Sequence, residues 1–162
     1  MGLLDQATAH SHSGGVIGGL VRIFLRFFQF VLGLTVAGLY GVDLNNARKA
    51  GVYADGRWVY AEVVAALAAV TTLVYAVPFV KSYVFFGWDA VLFILWTALF
   101  GIFGKLWIHE HPTPHQPGSL RMKNAVWVDL TNMLLWFVTA VWGGITFFFG
   151  QRSTMYTGRA KA

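Results

Sequence analysis

Two aspartates stand inside hydrophobic runs of this chain, Asp89 in "YVFFGWDAVLFILWTALFGIFGK" and Asp129 in "AVWVDLTNMLLW". A carboxylate in such surroundings can mark an ion or proton path, cap a helix or hold an ion pair. The neighbouring residues narrow the choice. Asp89 follows Gly87 and Trp88, and the residues from Ala90 to Ile108 suffice to span a bilayer, so it reads as a helix N-cap at the inner interface with Arg26 or Lys81 as counter-charge. Asp129 lies more than a turn inside a helix that Asn124 would cap, with Asn132 on the same face. Such a group must face other helices, and antiparallel pairing makes Lys105 its expected partner, with Glu62 competing for the same lysine. On this reading Asp129→Leu impairs folding more than Asp89→Asn, which keeps a capping side chain.

The stretch HEHPTPHQPGS gathers His109, Glu110, His111 and His115, residue types that bind zinc or copper and sense acidity. Pro112 and Pro114 interrupt it, and its spacing does not match H-E-x-x-H, so no metal site is expected. Cysteine is absent from the sequence, which excludes disulfides, thiolate metal sites and dithiol chemistry. There is no G-x-S-x-G elbow, and the glycine-rich SGGVIGG lacks the lysine of a P-loop. Neither an enzyme nor a cofactor is expected.

These residues are positioned by four long apolar runs. The chain has 162 residues, of which 57% are hydrophobic and only 12% charged, and the apolar ones are gathered in runs instead of alternating with polar ones. Spans are expected at about 21–43, 61–80, 84–108 and 125–150, each long enough at ~1.5 Å per residue to cross a core of ~30 Å. Residues 1–19 read as a flexible lead-in and 151–162 as a basic tail, flanking a transmembrane domain over 20–150. The short alternating segments of a barrel are missing. The expected fold is an all-α integral membrane four-helix bundle with both termini on the same side. Residues 1–15 have neither the layout of a cleaved signal peptide nor, with Gln6, a myristoylation motif.

Basic residues divide evenly between the two ends, with Arg22, Arg26, Lys81, Arg152, Arg159 and Lys161 opposite Arg48, Lys49, Arg57, Lys105, Arg121 and Lys123. The positive-inside rule therefore does not orient the chain. The undivided basic tail favours cytoplasmic termini, with Arg152, Arg159 and Lys161 on an anionic leaflet. Gly33, Ala37 and Gly41 recur every fourth residue in the first span, as do Ala61, Ala65 and Ala69 in the second. Such faces allow close helix contact, here expected within one subunit, with contact between subunits as the alternative. Trp58, Trp88, Trp107 and Trp127 fall near span ends as interfacial belts, while Trp96, Trp136 and Trp142 lie deeper and fill space between helices or face lipid.

The order of parts resembles a fungal MARVEL-domain protein over about residues 20–150. The resemblance is carried by "RIFLRFFQFVLGLTVAGLYG", "RWVYAEVVAALAAVTTL", "GWDAVLFILWTALFGIFGK" and "AVWVDLTNMLLW". It implies a four-span protein with cytoplasmic termini, in the plasma membrane or endomembrane vesicles, that acts in membrane apposition, trafficking or lateral domains. The absence of cysteine departs from animal relatives with disulfide-bearing loops. The function expected is a non-enzymatic membrane organiser that self-associates as a homo-oligomer or binds membrane-protein partners, and engages lipids, sterol or sphingolipid among them. No nucleic-acid partner is expected. A small channel or transporter subunit using its intramembrane acids is the competing expectation.

Overall fold

The computed structural model describes residues 15–76, 86–111 and 117–157, with side chains described for 18–148 of these. Lys81, His115, Arg159, Lys161 and residues 1–14 of the expected lead-in lie outside the described residues, as does the side chain of Arg152. The described residues form four α-helices: α1 (Gly15–Lys49), α2 (Gly56–Ala76), α3 (Phe86–Trp107) and α4 (Pro117–Thr157). All four are long and apolar enough to cross a membrane. The pairings of α1 with α2 and α3 with α4 are the most extensive, α1 against α4 joins the two pairs, and α2 against α3 is the slightest of these seams.

Local chemistry sets the helix ends. At the end of α1, Gly51 adopts φ 67°, the left-handed conformation that glycine enters without Cβ strain. There the Gly51 N–H donates to the Arg48 carbonyl at 3.2 Å and the Val52 N–H to the Ala47 carbonyl at 3.1 Å, the two bonds of a Schellman cap. Asp55 caps α2, its Oδ1 accepting the backbone N–H of Arg57 at 2.9 Å. Pro117 opens α4 at the first helical position, where a missing N–H costs nothing.

Helices α1 and α4 outrun their expected spans. They contain 35 and 41 residues, or ~52 and ~62 Å at 1.5 Å per residue. Asn124 is thus an interior residue of α4, not its cap, because the turns before it have their own packing: Met122 is buried and Arg121 pairs with Asp43 of α1. Asp43, expected at the last position of the first span, lies well inside α1 for the same reason. Residues 151–157, the first part of the expected basic tail, continue α4.

The buried face of α1 follows Gln29, Gly33, Val36, Tyr40 and Ala47, and that of α4 follows Met122, Ala125, Asp129, Asn132, Trp136, Thr139 and Gly143. Helix α3 buries Asp89, Leu92, Trp96, Leu99 and Phe103. These alternating steps of three and four residues are the seam of helices that pack at a shallow angle. The outward faces carry exposed Ile23, Phe24, Phe27, Leu73, Ile94 and Leu134. Apolar residues outside and polar ones along the seam suit a bundle whose solvent is lipid.

Candidate functional site

Arg26 connects all four helices. Its guanidinium, carried by α1, forms an ion pair with Asp89 of α3 and donates to Gln29 Oε1 at 2.9 Å. The same group lies 4.5 Å from the ring centre of Tyr75 on α2 and 5.2 Å from that of Trp136 on α4. Both distances are within range for cation–π attraction, which strengthens where water is excluded. Gln29 extends the network, donating from Nε2 to Thr139 Oγ1 of α4 at 3.2 Å. Asp89 is 1% exposed. It lies in the first turn of α3, but its carboxylate is directed at Arg26 across the bundle. The capping role expected for Asp89 is therefore replaced by an ion pair, and of the two expected counter-charges Arg26 is the one described.

A second polar layer lies towards the other end of the bundle. The Tyr40 hydroxyl of α1 donates to Asp129 Oδ2 at 2.7 Å, and the Tyr40 ring packs 4.4 Å from that of Phe103 on α3. Asp129 and Asn132 are both 0% exposed. Asp129 does not meet Lys105, which is exposed and absent from every ion pair among the described residues. A hydroxyl from a neighbouring helix instead satisfies one carboxylate oxygen without the burial of a second full charge. Glu62 does not compete for Lys105 either. Its carboxylate lies against α1, where a Cβ built on Gly41 would come within 2.9 Å of Oε1. Asp129 Oδ1, both amide atoms of Asn132, and the Nε1 atoms of Trp96 and Trp136 are buried without a hydrogen-bond partner among the described residues.

The small-residue faces meet inside the subunit. A Cβ on Gly33 would stand 3.6 Å from the Ala65 carbonyl, 3.9 Å from Ala68 Cβ and 4.0 Å from the Ala69 nitrogen. Ala61 and Ala65 are buried, and Ala37 is partly buried against the core. Trp96 and Trp136 are wholly buried, whereas Trp142 is exposed. At the far end of the bundle, Arg121 pairs with Asp43 and Lys123 Nζ donates to the Glu110 carbonyl at 2.7 Å. Asp55, outside the spans, is held below the usual carboxylate range by hydrogen bonds from the Arg57 side chain and backbone. Among the described residues no group of three histidine or acidic side chains is placed to hold a metal ion.

Sequence reasoning missed Gln29, Tyr40, Thr139 and the Asp43–Arg121 pair. The signal was present in α1, where Arg22, Arg26, Gln29, Gly33, Val36, Tyr40 and Asp43 recur at steps of four and three. A search for small residues every fourth position passes over that stripe, because its polar members are large. Comparisons with family models, with curated proteins and with solved structures return no match to this chain.

Proposed function

We propose that this chain is a non-enzymatic membrane protein that organises membrane domains or serves vesicle trafficking, through helix association and lipid contact. The observation that carries this reading is the use made of the buried polar groups. Arg26 joins four helices, and Trp96 and Trp136, fully buried, occupy the core between the Arg26–Asp89 and Tyr40–Asp129 layers. Polar residues so placed hold a bundle together, and bulky indoles between them obstruct a water path. The resemblance to MARVEL-domain proteins supports the same reading, with both termini cytoplasmic. The chain then acts from the plasma membrane or endomembrane vesicles as a homo-oligomer or beside other membrane proteins.

Reconstitution at controlled density tests it. Fluorescent copies in giant vesicles with coexisting lipid domains should cluster or partition into one domain, and copies in nanodiscs should give a fixed number above one. Uniform monomers in both would refute the proposal. A channel or transporter subunit is the second reading, favoured by the unpartnered buried atoms of Asp129 and Asn132. Ion or proton flux into liposomes that disappears in Asp129→Asn would put that reading first.

A further inference from the structure

At the end of the bundle where α3 begins, a cleft of ≈ 370 Å³, its open mouth included, lies between α1, α3 and α4. Its polar lining is Arg22, Arg26, Asp89 and Thr139, and its apolar lining is Val21, Leu25, Trp142 and Gly143. Its enclosed part, ≈ 20 Å³, has room for about one water-sized group, so the cleft is shallow and a larger ligand would lie in its open mouth. Its charges are not balanced. Arg26 is committed to Asp89 and Gln29, and Asp89 is the one acid at this end among the described residues. Arg22, half-buried, makes no ion pair among the described residues. The cleft therefore keeps one positive charge beyond what its own carboxylate offsets.

Depth identifies what can reach that charge. Asp89 is in the first turn of α3 and Arg26 is level with it, so Arg22, four residues before Arg26, stands ~6 Å further out along α1. That places its guanidinium at the edge of the apolar spans, where phospholipid headgroups lie, while Leu25 and Trp142 line the side nearer the hydrocarbon. A guanidinium fork matches phosphate oxygens in geometry and charge. We propose that this cleft binds an anionic phospholipid, with Arg22 donating to the phosphate and Val21, Leu25 and Trp142 receiving the first carbons of its chains. The proposal rests on the lipid-contact part of the function above and names its headgroup class. A free phosphate ion shares the anionic chemistry but has nothing to place against the apolar wall.

Native mass spectrometry with phosphatidylglycerol, phosphatidylcholine and inorganic phosphate as probes tests it. Wild type should retain phosphatidylglycerol in preference to phosphatidylcholine, and inorganic phosphate should not displace it. Arg22→Gln should weaken phosphatidylglycerol binding about fivefold or more, the factor equivalent to about 1 kcal/mol for one basic side chain at an anionic surface. The double variant Arg48→Gln/Lys49→Gln, which removes two exposed charges at the other end of α1, should keep the preference. Undiminished binding in Arg22→Gln, no preference between the two lipids, or displacement by inorganic phosphate would each overturn the proposal. Should Arg22→Gln fail to fold, wild type with a photoactivatable phosphatidylglycerol decides: adducts on Val21, Leu25 or Trp142 support the site, and adducts confined to other residues reject it. Clustering in vesicles that survives Arg22→Gln would separate failure of this site from failure of the organiser function.

Discussion

Removal of one member of a buried ion pair leaves a charge without compensation, and this governs what substitutions at Arg26 and Asp89 should do. Their side chains are 11% and 2% exposed. Asp89→Asn should cost about 3 kcal/mol or more, whereas Arg26→Met/Asp89→Leu, which removes both charges, should cost less than Asp89→Asn alone. Thermal unfolding in detergent, followed by tryptophan fluorescence, measures the order, and additive losses would contradict it. The sequence alone made Asp89→Asn a mild change that keeps a capping side chain, whereas the ion pair makes it a costly one. The reason is that Asp89 serves Arg26 and not its own helix end. At the other layer, Tyr40→Phe deprives Asp129 of its described donor and should cost about 1 to 3 kcal/mol. In an Asp129→Leu background the same change should cost much less, because no carboxylate remains to be left unpaired. A double-mutant cycle that shows no coupling would mean that the hydroxyl and carboxylate act independently.

Close approach between helices depends on a few glycines, and the least tolerant is on α4. A Cβ added to Gly143 would fall 2.8 Å from Phe86 Cβ and 3.6 Å from its Cα, atoms that a rotamer change cannot move away. Gly143→Val should therefore push the start of α3 off α4 and destabilise the bundle by about 1 to 3 kcal/mol. By contrast, Gly38→Ala, on a face with nothing within 4 Å of the added carbon, should be neutral or mildly stabilising. Comparison of the melting temperatures of the two variants checks the claim, and equal values would defeat it. The four helices were legible in the sequence because apolar runs need no partner to be recognised. Their inner faces were less so. Gly33 and Ala65 could be found by spacing alone, but the value of Gly143 depends on Phe86, which is distant in sequence and unremarkable in its local context. Likewise Asp129 announced itself as an acid in an apolar run, while its partner Tyr40 looked like one more aromatic residue of a membrane span. Helices α1 and α4 run past the expected spans because hydropathy marks where lipid contact stops, and both helices continue beyond it.

Taken whole, the molecule is two helical hairpins, α1–α2 and α3–α4, held together by the α1–α4 seam and the Arg26 network. That arrangement has a consequence for biosynthesis. Arg26 leaves the ribosome 63 residues before Asp89. At ~5–20 residues per second this is an interval of roughly 3–13 s. Throughout it the first hairpin carries an arginine whose carboxylate does not yet exist, and a lone arginine within a span is unfavourable by about 2.5 to 3.5 kcal/mol at the bilayer centre and less near its edge. The nascent hairpin can lower that cost by drawing Arg26 outward to the headgroups, a position it abandons once α3 arrives. The pair thus distinguishes a finished chain from an interrupted one. We predict that a product truncated after Ala76 is degraded quickly in cells, and that Arg26→Leu lengthens the half-life of this fragment while shortening that of the full chain. Pulse–chase measurement of the four half-lives decides it; a fragment indifferent to residue 26 would show that the cell does not read the unpaired charge as a mark of incompleteness.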